Sequence, residues 1–151
     1  MEFTSYMSIA LEEARFAAMR GEVPVGAVVI GPDGAILGRA GNQVIASFDP
    51  SGHAEVLAIR EACKALQSER LTHCSLYVTL EPCAMCASLI AQARVARVYY
   101  GASDPKSGGV VQGARVFEQA QTHHKPEVYD GICEAECAQL LRDFFATRRA
   151  R

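Results

Sequence analysis

The sequence lacks long apolar runs, a strong net charge, internal repeats and low-complexity segments. No apolar run approaches the roughly 20 residues that a membrane-spanning helix requires. The formal net charge of −2 gives no general indication of a nucleic-acid partner. The segment 1–16 carries Glu2, Glu12 and Glu13 in an amphipathic pattern, which argues against a signal peptide. The chain is therefore expected to form a single domain over 1–151 that is cytoplasmic and has no membrane partner.

The sequence contains six cysteines, but a chain of this length and apolar content needs no disulfide framework. Two of them, Cys83 and Cys86, form a Cys-x-x-Cys pair, which in an intracellular protein favours metal or redox chemistry. We interpret the other four as small buried apolar side chains, namely Cys63, Cys74, Cys133 and Cys137. The Cys-x-x-Cys pair is therefore the candidate reactive centre.

Hydrophobic periodicity divides the chain into helices and strands. Helical spacing predicts helices over 5–20, 53–66, 84–93 and 133–149, with a weakly helical segment over 111–119. Short apolar runs predict strands over 26–30, 35–40, 76–80, 97–100 and 127–129, the first two forming a hairpin. Strands that alternate with helices indicate a three-layer α/β/α fold, with a mixed, mostly parallel five-stranded sheet and helices on both faces. Reactive groups should cluster at the carboxyl ends of the strands, where helices begin.

The start of the third predicted helix carries two potential metal ligands, Cys83 and Cys86. Residues three apart on a helix project to one side, and a helix amino terminus lowers the pKa of a thiol, so both sulfurs can bind metal as thiolates. His53 begins the second helix, where its side chain can point out of the helix end. Three protein ligands leave the fourth tetrahedral position open, as in catalytic zinc sites. The pattern predicts one Zn²⁺ on His53, Cys83 and Cys86.

Glu55 lies two residues after His53 and is the candidate proton shuttle. His-x-Glu followed about thirty residues later by Pro-Cys-x-x-Cys is the signature of zinc-dependent deaminases, in which the glutamate is not a metal ligand. In such a site the zinc converts a water molecule to a hydroxide nucleophile. Glu55 would take a proton from this water and deliver it to the substrate ring and to the leaving ammonia.

Two alternatives for the same residues stay open. A redox dithiol would explain the cysteine pair, but a thioredoxin-like motif belongs near the amino terminus of a different fold and needs no upstream His-x-Glu. A structural zinc with Glu55 on the surface would need a fourth ligand. The other histidines lack suitable spacing for that role, namely His73, His123 and His124.

Several segments resemble the bacterial tRNA-specific adenosine deaminases of the cytidine deaminase-like superfamily. They are Glu22-Val-Pro-Val-Gly-Ala27, His53-Ala-Glu55, Leu76-Tyr-Val-Thr-Leu-Glu-Pro-Cys-Ala-Met-Cys86, Asp104-Pro-Lys-Ser-Gly108 and Phe144-Phe-Ala-Thr-Arg-Arg149. The resemblance covers nearly the whole chain. It implies a cytidine deaminase-like fold, a homodimer, and hydrolysis of the wobble adenosine to inosine in the anticodon stem-loop of an arginine tRNA.

The resemblance also assigns site residues. It places the zinc on the same histidine and two cysteines and the proton shuttle on Glu55. It further implies that four residues contact the substrate, namely Asn42, Asp104, Lys106 and His124. The amide of Asn42 can pair with the ring edge of a purine. The segment 142–151 holds four arginines and one aspartate, a pattern that by charge alone favours a solvated helix end.

Two other functions are compatible with the motif. A deaminase of free bases or nucleotides shares the metal site, so the zinc ligands cannot separate it from a tRNA deaminase. What separates the two is whether the mouth of the cavity is open to a polynucleotide or capped by the carboxyl-terminal helix. A non-catalytic zinc module that only binds RNA would be marked by loss of the shuttle glutamate, and Glu55 is present.

Overall fold

The computed structural model describes residues 5–149. Within this range the chain forms helices and strands in the order α1 Met7–Met19, β1 Gly26–Ile30, β2 Ile36–Gly41, α2 Ala54–Leu66, β3 Ser75–Leu80, α3 Ala84–Gln92, β4 Arg97–Ala102, β5 Glu127–Tyr129 and α4 Glu134–Arg149. Every one of these elements begins and ends within two residues of its expected position. The apolar periodicity therefore predicts the element order of the described chain correctly.

The segment 111–119 departs from expectation, since only the short 3₁₀ turn Val116–Glu118 is helical. Gly113 and Arg115 have φ angles of 51° and 44°. Such left-handed residues interrupt a right-handed helix, which needs negative φ throughout. The expected weak helix is therefore wrong outside the 3₁₀ turn.

The strands form one sheet in the order β2-β1-β3-β4-β5. β1 runs antiparallel to both of its neighbours, while β3, β4 and β5 are parallel to one another. Of the strands in the described range, β1 alone therefore points opposite to the other four. This confirms the mixed, mostly parallel five-stranded sheet.

Helices cover both faces of the sheet, as the side chains of β1 show, because successive ones point to opposite faces. Ala27 and Val29 pack into a core with α2 and α3, whereas Val28 and Ile30 pack into a second core with α1 and α4. Every residue of β1 is buried because both faces are covered. Each large side chain buried in this way contributes about 1.5–3 kcal/mol relative to exposure. The three-layer α/β/α fold is thus confirmed.

The cysteines outside the Cys-x-x-Cys pair differ from one another in burial. Cys74 and Cys137 are buried and Cys63 is half-buried, but Cys133 is exposed. Cys133 immediately precedes α4 with a φ of 55°, and its side chain is exposed in the turn that leads into this helix. The interpretation of Cys133 as a buried side chain is therefore wrong. Across 5–149, no helix has the length and apolarity needed to cross a membrane.

Candidate active site

The amino termini of α2 and α3 meet at the carboxyl end of β3, and each supplies ligand atoms to one site. His53 is the N-cap residue of α2, and Cys83 is the N-cap residue of α3. The Nδ1 atom of His53 lies 3.7 Å from Sγ of Cys83 and 3.5 Å from Sγ of Cys86. Tetrahedral coordination with usual Zn–N and Zn–S bond lengths puts such ligand atoms about 3.6 Å apart. The three residues are suited to binding one zinc ion.

The surroundings of the two cysteines shift the pKa values of their thiols in opposite directions. Hydrogen bonds from Cys86 and His53 lower the pKa of the Cys83 thiol to about 4. The interaction with Cys83, together with burial, raises the pKa of the Cys86 thiol. The contact with Cys83 also raises the pKa of His53. Metal binding displaces the protons of such ligands, so zinc would hold both sulfurs as thiolates and His53 as a neutral imidazole.

Glu55 lies in the first turn of α2 and is buried, with 4% of its surface exposed. Burial raises the pKa of its carboxyl group to about 7. The carboxyl group interacts with the Cys86 thiol and with the charge of His53. Among the described residues, the group of metal-binding atoms comprises His53 and the two cysteines without Glu55. A carboxyl group beside the metal ligands, with a pKa near neutrality, can both accept and donate a proton.

A cavity of about 490 Å³ opens over this centre. Its volume lies within the usual range for small-molecule sites. Its apolar wall consists of Val23, Val25, Val44, Ile45, Leu80, Phe144 and Phe145, and its polar groups include Asn42, His53, Glu55, Cys83, Asp104, Ser107 and Arg148. The arrangement can hold a flat, largely apolar ring over the proposed metal while a few polar groups orient it.

The carboxyl-terminal helix forms one side of the cavity. The guanidinium of Arg148 lies 4.6 Å from the ring centroid of Phe144 and donates a 2.5 Å hydrogen bond to the carbonyl oxygen of Gly21. The hydrogen bond to Gly21 joins α4 to the turn that follows α1, and Phe145 of the same helix also lines the cavity. The helix α4 therefore borders the cavity mouth. Arg148 is an exposed cation, but its guanidinium group is already bonded to the carbonyl oxygen of Gly21.

The structure brings some of the expected substrate residues to the cavity and leaves others outside. Asn42 and Asp104 line it. Asp104 Oδ1 accepts hydrogen bonds from the backbone N–H groups of Lys106 and Ser107, so this carboxylate also shapes its own loop. Lys106 is exposed on that loop without lining the cavity. His124 donates a hydrogen bond to the carbonyl oxygen of Val95 and lines a different cavity.

Two buried carboxylates at the cavity were not singled out from the sequence. Glu22 is 2% exposed and accepts hydrogen bonds from the N–H groups of Ile45 and Ala46. Glu81 is equally buried, and its partners lie in the loop after β4. The sequence did contain a sign of their burial. Each glutamate is a charged residue that stands directly beside an apolar run that is buried in the fold. A buried charge without partners is costly, so such a position indicates a network of donors.

The comparisons with known proteins agree with this geometry. Residues 2–102 match the model of the cytidine and deoxycytidylate deaminase zinc-binding region. A tRNA-specific adenosine deaminase of Agrobacterium fabrum is 51% identical over 148 residues, covering 98% of this chain and 97% of the relative.

Solved structures extend the likeness to the fold. A structure from work on A-to-I editing by tRNA:A34 deaminases superposes with a TM-score of 0.88 at 51% identity, covering 90% of this chain and 98% of the other. A guanine deaminase from Bacillus subtilis has a TM-score of 0.61 at 40% identity, covering 66% of each chain. The chain therefore belongs to the tRNA-specific adenosine deaminases, a family of zinc-dependent hydrolases with the cytidine deaminase-like fold.

Proposed function

We propose that this chain hydrolyses adenosine to inosine at the wobble position of tRNA, within the anticodon stem-loop of an arginine tRNA. In this proposal the whole chain is one catalytic domain that works in the cytoplasm as a homodimer. The observation that supports it most directly is the placement of Glu55 beside a His/Cys/Cys group in a base-sized cavity. Family membership supports the choice of tRNA as substrate.

His53, Cys83 and Cys86 are the proposed zinc ligands, and Glu55 is the proposed proton shuttle. Bound zinc would supply Lewis acidity that activates a water molecule as the nucleophile near neutral pH. Glu55 takes a proton from this water and passes it to the purine ring nitrogen beside the reacting carbon. It then takes the remaining proton from the added hydroxyl group and passes it to the leaving amine, as the C–N bond breaks and the carbonyl forms. The net change is the addition of one water and the release of one ammonia. The raised pKa of Glu55, about 7, suits both directions of transfer.

Asn42 is the proposed contact to the base. Its side-chain oxygen accepts a 2.8 Å hydrogen bond from the backbone N–H of Ala54, immediately after His53. This bond fixes the side chain relative to the metal ligands and leaves the amide N–H groups as the donors for the purine ring edge. A donor held in this way distinguishes bases because a wrong partner leaves it unpaired.

Contacts outside the cavity are proposed to hold the RNA. Lys106 extends from the loop that carries Asp104 and can meet a phosphate near the cavity mouth. His124 lies in a polar cavity with Arg94 and His123, and its proposed contact is therefore farther along the stem-loop than the base. A flipped base needs such flanking contacts because a single nucleoside offers little binding energy for positioning.

The rival function is deamination of a free purine base, which the likeness to a guanine deaminase and the largely apolar cavity wall favour. The deciding experiment compares turnover at equal concentrations of an anticodon stem-loop, free adenosine, guanine and cytosine. We expect deamination of the stem-loop with negligible release of ammonia from the small molecules. Faster turnover of a free base would replace the tRNA proposal with that of a small-molecule deaminase. Sequencing of total tRNA after incubation then identifies the modified tRNA.

A further inference from the structure

Glu81 connects the end of β3, just before the proposed ligand Cys83, to the loop that follows β4. Its Oε1 atom accepts a 3.0 Å hydrogen bond from the N–H of Asp104. Its Oε2 atom accepts bonds from the N–H groups of Val110, Val111 and Gln112, at 3.2, 2.9 and 3.1 Å. The donors come from both ends of the loop 104–112, so a single carboxylate closes this loop.

The loop approaches Glu81 closely because it carries two glycines. A Cβ atom on Gly108 would lie 2.6 Å from Cδ of Glu81, and one on Gly109 would lie 2.5 Å from the backbone nitrogen of Ala84. Gly109 also donates a 2.8 Å hydrogen bond to the carbonyl oxygen of Pro82. The loop therefore lies directly against the Pro82–Ala84 segment, which contains a proposed zinc ligand.

The outer side of the same loop faces the substrate cavity. Asp104 and Ser107 line the cavity, and Lys106 lies between them on the exposed side. Glu81 thus contacts backbone atoms at both ends of a loop that supplies Asp104 and Ser107 to the cavity lining. It is also two residues from Cys83 in sequence.

We propose that Glu81 is a positioning residue, which fixes the 104–112 loop at a set distance from the metal centre and thereby determines how tightly the RNA loop binds. The proposal rests on the proposed function for the identity of its substrate. Zinc binding itself does not depend on Glu81, because none of its hydrogen bonds goes to a proposed ligand side chain. Its effect is therefore on substrate binding, with the proton-transfer step left intact.

The amide of glutamine cannot replace this carboxylate. In Glu81→Gln one oxygen becomes an NH₂ donor, which would face a backbone N–H donor whichever way the amide is turned. The remaining hydrogen bonds also lose the negative charge that strengthens them. One end of the loop is then released while the side chain keeps its size.

The experiment uses the zinc-loaded full chain with Glu81→Gln. We expect amide hydrogen exchange at 104 and 110–112 to accelerate, by at least about tenfold at the end of the loop that faces the new NH₂ group, since charge-assisted hydrogen bonds are lost there and weakened at the other end. Exchange in α3 and zinc content should stay at parent values. For the anticodon stem-loop, KM should rise at least about tenfold while kcat stays within about threefold.

A second variant keeps the proposal testable if Glu81→Gln folds poorly, and a third serves as the control. Gly108→Ala keeps the Glu81 carboxylate but forces it and the loop apart, because the added Cβ would meet Cδ of Glu81 at 2.6 Å, and it should reproduce the rise in KM. Glu118→Gln changes an exposed glutamate beyond the loop and should alter nothing. Unchanged exchange at 104 and 110–112, loss of zinc, or faster exchange with an unchanged KM would each overturn the positioning role. If the parent chain fails to deaminate the stem-loop, the proposed function fails, while the exchange measurements still decide whether Glu81 holds the loop.

Discussion

The side-chain oxygen of Asn42 accepts a 2.8 Å hydrogen bond from the backbone N–H of Ala54, and so joins the end of the hairpin to the first turn of α2. This N–H is one of the donors at a helix start that lack a partner within the helix. Asn42 therefore has two separable parts, an oxygen that supports the fold and an amide nitrogen available to the substrate.

Substitution of Asn42 by aspartate separates these two parts. Asn42→Asp keeps the acceptor for Ala54 and adds a negative charge at a helix amino terminus, so the thermal midpoint should change little. It removes the proposed donor to the purine, and kcat/KM on the stem-loop should fall by about 10–100-fold. Asn42→Ala should lower both quantities. Parent-level kcat/KM in Asn42→Asp would remove this residue from base recognition.

Metal analysis tests whether Cys83 and Cys86 are zinc ligands. Cys83→Ala and Cys86→Ala should each lose zinc and stability, because the remaining ligands cannot complete the site. Cys133→Ala is the matched control, since Cys133 is exposed and is not part of the metal-binding group. Zinc content per chain, measured by mass spectrometry of the acid-digested protein, should stay at one for the control. Full occupancy in either of the first two variants would refute the ligand assignment.

Glu55 should act in turnover without binding the metal. Glu55→Gln preserves size, and Glu55→Ala removes the group; both should retain zinc and lose at least about 10²-fold in kcat, as expected for loss of a general acid/base. Glu61→Gln alters an exposed glutamate of the same helix and serves as the control. Single-turnover deamination of the stem-loop is the measurement. Activity within about tenfold of the parent in Glu55→Ala would show that another group transfers the proton.

Salt dependence tests whether Lys106 contacts the RNA backbone. Stem-loop affinity should fall as salt rises, and Lys106→Ala should make the slope of log affinity against log salt shallower by about one. Lys64→Ala is the control, because Lys64 is exposed in the last turn of α2, at the other end of the helix from His53. Equal slopes in the parent and Lys106→Ala would place this lysine outside the RNA contact.

Arg148 allows the charge of α4 to be tested separately from its geometry. Arg148→Lys keeps the charge but not the planar group that contacts Phe144 and the carbonyl oxygen of Gly21. We expect both Arg148→Lys and Arg148→Ala to raise KM by a similar factor without loss of zinc, because both lose the planar group that holds the cavity wall. A lysine variant with parent-level KM would show that charge alone matters. Arg149 belongs to α4, but its side chain lies outside the described structure.

The sequence was sufficient for the element order and for the grouping of His53, Cys83 and Cys86 because both depend on local patterns. His53 and the cysteine pair each begin a helix, and short spacings reveal such positions directly. The roles of Glu22 and Arg148 depend on contacts with residues far away in the chain, which no periodicity encodes. The surroundings of His124 were equally inaccessible, because the segment before it is irregular and its course follows from left-handed residues and loop contacts.

The cavity walls are attached to the rest of the protein largely through main-chain atoms. Glu22 and Glu81 accept bonds from backbone N–H groups, and Arg148 donates to a backbone oxygen. Every residue type except proline offers these same groups, so side chains facing the cavity, such as Val44 and Phe145, can be exchanged without detaching the wall. A lineage with this architecture can acquire a new substrate while the residues proposed to bind the metal stay unchanged. A library of variants substituted only at cavity-lining side chains should likewise contain many folded members.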